Sequence, residues 1–191
     1  MYINPQNQLN KAMKNPRGVL IRLLMDLGTE MTIKAGEPVI KAGQRCNFFF
    51  IVLSGSFRAY RLVEDKEMII GFSFTGDIDT APYAFITDTS STETIEAITN
   101  STIIKVNRSK LEHLKSMHPE MRDFIENLLA HYIEVLVSRH IEFKTYTAEQ
   151  LYHQLYRRQP EKVQQILLKY IASYLGISQE RLSRIRAKSL S

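Results

Sequence analysis

The apolar pattern of this chain changes period once, near Asn107, and that change limits the fold more than any other feature. Before it, from Glu30 to Val106, short runs rich in Ile, Val, Phe, Tyr and Thr alternate with Gly, Pro, Asn and Asp, the pattern of strands joined by tight turns. Strands are expected over 31–34, 38–41, 48–53, 56–63, 67–74, 93–98 and 102–107, with turns at 35–37, 42–44, 54–55, 64–65 and 100–101. Short strands at such spacing form an antiparallel roll, jelly roll or sandwich. A helix over about 16–27 precedes them, with Leu20, Leu23, Leu24 and Leu27 on one face. After Asn107 the apolar residues recur at helical spacing. The expected class is therefore α+β, an N-terminal antiparallel β roll of jelly-roll type followed by helices.

Ser109 is placed to cap a short helix through Met117, and Pro119 sits where a first-turn proline is tolerated, opening a long helix toward Phe143. The apolar residues of that helix, from Met121 to Val137, cover roughly 220° of its circumference, whereas a helix lying on one core needs a stripe somewhat over 100° wide. The excess predicts contact with the β roll on one side and with a second copy on the other. Ile125, Leu128, Tyr132 and Val135 fit an a/d seam for that homodimer. A helix wholly enclosed in its own monomer is the alternative. A polar break at 144–147 makes a hinge, Thr147 with Gln150 has the spacing of a capping box, and Pro160 opens another helix to about Tyr170.

Charge is divided as unevenly as period. Residues 144–191 carry 9 of the 25 Lys and Arg but 3 of the 20 Asp and Glu, a net +6 against −1 for the rest. A basic segment on a nearly neutral body fits a polyanionic partner, nucleic acid or an acidic membrane surface, with a solvated charged face as the plain alternative. Within it, LKYIASYLGISQERLSRI at 168–185 is the most specific stretch of the chain. Ala172 stands where two helices cross closely, and Gly176, four residues later, suits a left-handed turn that a Cβ disfavours. Ile171, Leu175, Ile177, Leu182 and Ile185 supply the buried side of both helices, and Ser178 caps the second, with Glu180 near its positive N-terminus. This is the spacing of a helix-turn-helix, whose second helix enters the major groove of double-stranded DNA. The candidate DNA-binding residues are Ser178, Gln179, Glu180, Arg181, Ser183, Arg184, Arg186 and Lys188.

Other functions are less well supported. One cysteine, Cys46, excludes an internal disulfide and any site built on several thiolates of this chain. The longest charge-free apolar stretch, 48–57, is half the roughly 20 residues needed to span a bilayer, and the polar start of the chain is unlike a signal peptide, so no membrane partner is expected. A metal-dependent cupin needs inward-facing His and carboxylates on strands, but all five histidines, His113, His118, His131, His140 and His153, follow them. Neither a nucleophile elbow nor a phosphate-cradling glycine loop is present, so no enzyme is expected. An interaction module that docks a protein and does not bind DNA is the remaining competitor.

The chain resembles the bacterial Crp/Fnr-type transcription regulators, which join a cyclic-nucleotide-binding-like β roll, a long dimerisation helix and a C-terminal helix-turn-helix. The resemblance covers nearly the whole chain: Lys34-Ala35-Gly36-Glu37 followed by Gly43, the strand and turn from Phe50 to Gly55, and the LGIS-to-RI segment. It implies a sensor domain at 1–118, a dimerisation helix at 119–143 and a DNA-binding domain at 144–191, acting as a cytoplasmic homodimer on a palindromic operator, with RNA polymerase as a further partner. By the family's pattern Gln179, Glu180 and Arg184 face base edges, Arg suiting guanine O6 and N7 and Glu accepting from cytosine N4.

Two departures qualify it. Members that bind cyclic AMP carry a Gly-Glu and, further on, an Arg-Ser or Arg-Thr. The matching residues here, Gly76, Asp77, Ser91 and Thr92, are the candidate effector-pocket residues. Asp77 replaces the ribose-binding glutamate, and Ser91 stands where the arginine would pair with the cyclic phosphate. With Asp77, Asp79, Asp88 and Glu93 nearby, a buried anion is poorly compensated. No cofactor is expected, and the sequence does not identify the effector. The family also usually carries a β wing after the recognition helix, whereas this sequence stops at Ser191, so wing contacts to phosphate are expected to be absent or replaced.

Overall fold

The computed structural model describes residues 16–158 and 160–189; the polar N-terminal segment and Ser191 lie outside them. Helix α1 (Pro16–Leu27) leads into eight strands: β1 (Thr29–Ile33), β2 (Pro38–Ile40), β3 (Phe48–Ser54), β4 (Ser56–Val63), β5 (Lys66–Phe74), β6 (Ile78–Asp79), β7 (Thr94–Ala97) and β8 (Ser101–Asn107). They form two four-stranded antiparallel sheets, in the orders β1-β8-β3-β6 and β2-β7-β4-β5. The class is thus α+β around an antiparallel roll.

The unbroken apolar run of β3 has a simple cause. Its side chains alternate between two hydrophobic surfaces. Phe48, Phe50 and Val52 enter the space between the sheets with Phe57, Ile95 and Ile103, while Phe49 and Ile51 face a second core built by helices. The turn from β3 to β4 requires glycine twice over: Gly55 has φ +93°, and a Cβ there would lie 2.0 Å from Ser101 Oγ.

Strand ends fall within about two residues of expectation, but the stretch between β5 and β7 holds more than the sequence suggested. It contains β6, which pairs with β3, and α2 (Pro82–Thr87). The next helix, α3 (Arg108–Met117), starts two residues earlier than a Ser109 cap would allow: Asn107 is its N-cap, with no side-chain cap bond. The Arg108 amide, bonded to Asn47 O at 2.8 Å, turns the chain directly out of β8.

Helix α4 (Pro119–Thr145) runs 27 residues, with Pro119 in the first turn. Its first half is committed to the monomer: Met121 and Phe124 are buried, and Ile125 and Leu128 pack partly buried against the same helical core. Two of the four expected seam residues therefore face inward. Val135 is half-buried and Tyr132 is 42% exposed. The apolar residues left in solvent are Ile133, Leu136, Val137, Ile141 and Phe143, on a stripe rotated from the expected seam.

The remaining helices form a second unit. Thr147 caps α5 (Ala148–Arg158) as a reciprocal box, its Oγ1 accepting from the Gln150 amide (3.3 Å) and its own amide donating to Gln150 Oε1 (2.8 Å). The single helix expected from Pro160 to Tyr170 is instead two, α6 (Pro160–Gln164) and α7 (Leu168–Leu175). Leu167 breaks it by adopting an extended ψ of 139°, which lets Ile166 turn into the core beside Val163 and Ile171. Helix α8 (Gln179–Ser189) completes the described residues. None of the described helices is long and apolar enough to cross a membrane.

Candidate functional site

Helices α7 and α8 meet through a turn built as the sequence requires. Gly176 takes φ +65°, and its amide donates to the carbonyls of Ala172 and Ser173, closing α7. The Ile177 amide returns to Ala172 O at 3.0 Å, and Ser178 Oγ accepts from the Arg181 amide at 3.2 Å, capping α8. Ala172, Leu175, Leu182 and Ile185 are buried between the two helices and their neighbours, with Ile177 packed at the edge.

That packing leaves one face of α8 in solvent. Ser178, Gln179, Glu180, Arg181, Ser183, Arg184 and Lys188 are exposed. The Glu180 carboxylate accepts from its own amide and from the Ser178 hydroxyl, and Arg184, one turn on, adds its charge; together these hold Glu180 below the usual carboxylate range. Arg186 differs from the others. It is half-buried and hydrogen-bonded to Tyr152 of α5, so its guanidinium braces the helical unit from within. The structure thus brings seven of the eight expected residues onto one accessible surface and turns the eighth inward.

The second candidate region lies where the turn after β5, the segment before β7 and Tyr132 of α4 come near one another. Gly76, at φ +91°, places Asp77 so that its carboxylate accepts the Phe74 amide at 2.7 Å. Asp79 accepts the Ser73 hydroxyl at 2.6 Å and the Thr80 amide at 2.8 Å. Burial pushes both carboxyls up, Asp77 to about 6 and Asp79 to about 7, against the hydrogen bonds that favour their ionised forms. Ser91 is buried, and its hydroxyl is engaged, donating to Glu93 O (2.7 Å) and accepting from the Glu93 amide (3.1 Å). Thr92 is exposed.

Arg61, Glu93 and Tyr132 complete this region. The buried Glu93 side chain pairs with Arg61 at 2.9 Å. Tyr132 of α4 lies near enough for Glu93 and Asp79 to join burial in raising its hydroxyl pKa, with Arg61 opposing them. Sequence alone offered no signal for the Arg61–Glu93 pair, because the two residues stand 32 positions apart and only the fold brings them together.

The residues present do not fit a cyclic nucleotide phosphate. Ser91 offers no positive charge, and the nearby arginines are paired with carboxylates. Arg45 binds Asp88, Arg61 binds Glu93, and the buried Arg58 bonds Glu96 at 2.9 Å and also Glu67. A phosphate entering here would displace one of these pairs or lie beside the carboxyls of Asp77 and Asp79. Among the described residues no three His, Cys, Asp or Glu side chains gather as metal ligands.

Comparison with known proteins finds relatives of the same fold. Residues 30–118 match the family described as the cyclic nucleotide-binding domain. Among solved structures, FixK2 from Bradyrhizobium japonicum superposes with a TM-score of 0.73 at 20% identity, covering 84% of this chain and 83% of that one. A CooA mutant from Carboxydothermus hydrogenoformans gives 0.69 at 18% identity over 98% of this chain and 84% of that one. The catabolite activator protein of Thermus thermophilus gives 0.59 at 16% identity over 92% and 84%. A search of curated proteins returns no match.

Proposed function

We propose that this chain, which has the fold of the Crp/Fnr-type regulators and a cyclic nucleotide-binding domain at residues 30–118, is a homodimeric, sequence-specific DNA-binding transcription regulator and not an enzyme. The observation that carries this reading is the capped α8, with Gln179, Glu180, Arg181, Ser183, Arg184 and Lys188 in solvent on its outer face. Helices so presented insert into the major groove, where side chains near the N-terminus meet base edges and basic residues meet phosphate. The working division is 1–118 for the sensor, 119–143 for the dimerisation helix and 144–191 for the DNA reader. Its place of action is the cytoplasm, and RNA polymerase is the partner through which bound protein would alter transcription.

A two-fold dimer reading DNA this way expects an imperfect palindrome with half-site centres about 34 to 36 Å apart, or a multiple of that. Selection from a random duplex pool tests it. Arg184→Ala should cost about 1 to 3 kcal/mol per half-site and relax preference at one base position, because a bidentate contact to guanine is lost. Lys188→Ala should weaken all sequences alike and lower the salt slope by about one per contact. An unchanged motif and affinity for Arg184→Ala would remove that residue from base reading. No enriched motif for the wild type would favour the protein-docking module instead.

The effector, on this reading, is not a cyclic nucleotide. Replacing a phosphate arginine by Ser91 forfeits a contact worth about 1.5 to 3 kcal/mol, roughly 10- to 150-fold in affinity. Titration calorimetry with cyclic AMP and cyclic GMP should therefore show no binding at micromolar concentrations. A dissociation constant of micromolar or tighter would mean that Arg61 or Arg45 leaves its carboxylate to take the phosphate.

A further inference from the structure

A palindromic operator makes a demand that the connection between α4 and α5 cannot meet. The two recognition helices must be held at a set separation, yet residues 144–147 are exposed, and the hydrogen bonds of Thr145, Tyr146 and Thr147 reach no further than four positions along the chain. The orientation of the helical unit comes instead from β5. Ser173 of α7 sets its hydroxyl against that strand, accepting from the Ile69 amide at 3.1 Å and donating to Glu67 O at 2.8 Å. One turn earlier, the Tyr170 ring lies 4.2 Å from the Arg58 guanidinium, with Tyr60 at 4.3 Å also against that group.

At its far end, β5 enters the helical unit itself. Phe74 is buried in the cluster of Leu151, Val163, Ile166 and Leu182, the core of the DNA-reading helices. Lys162 of α6 stands 5.0 Å from the Phe74 ring and is attracted by the Asp77 carboxylate just beyond it. Tyr174 packs against Phe72 of β5 at 5.5 Å and against Phe143, near the end of α4, at 5.7 Å. One strand thus touches α6 and α7, with the end of α4 joined through Tyr174, and none of these contacts uses the outer face of α8.

We propose that Ser173, Tyr170 and Phe74 are positioning residues, through which β5, with Arg58 of the adjoining β4, acts as a splint holding the helix-turn-helix at one angle to α4, so that both recognition helices of a dimer are set in advance for two half-sites. The inference rests on the DNA-reading function proposed above. Its physical basis is effective concentration. Once one half-site is bound, a freely jointed second reader samples many orientations, whereas a splinted one is already in register. Loss of the splint therefore weakens binding to the full palindrome and leaves a single half-site nearly untouched.

The test compares wild type, Ser173→Thr and the double variant Tyr170→Leu/Ser173→Ala by fluorescence anisotropy, on a duplex carrying the selected palindrome and on one carrying a single half-site. The double variant should lose about tenfold or more on the palindrome, stay within about twofold on the half-site, and show faster hydrogen exchange at the Ile69 amide. Ser173→Thr, which keeps the hydroxyl, should behave as wild type. Equal losses on both duplexes would reduce these residues to a merely structural role. Faster exchange with unchanged palindrome binding would show that docking does not set DNA affinity, and either result overturns the splint. Wild type binding neither duplex would instead refute the DNA-reading function.

Discussion

Leu136→Glu is expected to turn the protein into a monomer while leaving its fold intact. Leu136 is 44% exposed and lies between Ile133 and Val137, 60% and 50% exposed, on the outer side of α4. Leu129, Ile133, Leu136 and His140 repeat at spacings of four and three, the rhythm of a two-helix seam. A contiguous apolar stripe of this kind marks a surface covered by another molecule, and two-fold pairing of the same helix covers it at both ends of the symmetry. A glutamate at its centre would bury an unpaired charge in each protomer, raising the dimer dissociation constant by at least about a thousandfold, about 4 kcal/mol. Sedimentation velocity over a concentration series reads this directly, and an unchanged dimer mass would move the interface elsewhere. Leu128→Glu provides the contrast. Leu128 packs on the monomer's own helical core, so that variant should lower the urea midpoint of unfolding and is no test of the interface.

The second large effect is expected at Asp79. Burial pushes this carboxyl up to about 7, whereas in the unfolded chain it titrates near the ordinary aspartate value of about 3.9. Between those values the native state holds a proton that the unfolded state has released. Native stability therefore falls as pH rises from about 4 to about 7, and the ionised carboxylate destabilises the fold above that range. Asp79→Asn removes the charge and keeps groups able to meet the Ser73 hydroxyl and the Thr80 amide. It should raise stability by about 2 to 4 kcal/mol at pH 8 and change it little at pH 4. Urea unfolding at several pH values measures both. Parallel curves for wild type and variant would show that Asp79 is not held protonated by its surroundings. Asp77, raised to about 6 by burial and relieved by its Phe74 amide and by Lys162, should give the same sign with a smaller amplitude.

The features legible in the sequence were those that depend on neighbours a few residues away. Pro119, the Thr147–Gln150 box, Gly176 and the Ser178 cap each act through backbone groups within about four residues, and each stands where its spacing placed it. The strands of the roll were legible for a similar reason, since β-branched and aromatic runs between turn residues carry a period of two whatever the strands pair with. The exposed face of α8 followed from its apolar spacing alone, with Arg186 only partly exposed. Its partner, Tyr152, comes from another helix.

Tertiary structure alone decided the arrangements made across long separations. The width of the apolar arc on α4 led to the expectation of a second partner, but only packing shows that Ile125 and Leu128 lie against the monomer's own core and that Ile133 and Leu136 stay exposed, because both sets have the same composition and nearly the same period. β6 and α2 are too short to carry a period of their own, and β6 exists because β3 binds its backbone. The charges of the second candidate region are paired by residues more than thirty positions apart, and Ser173 meets the backbone of β5 across about a hundred. A local pattern determines which face of an element is apolar. Which other element covers that face is set by the competition of all the faces for one another, and that competition is resolved only when the chain has folded.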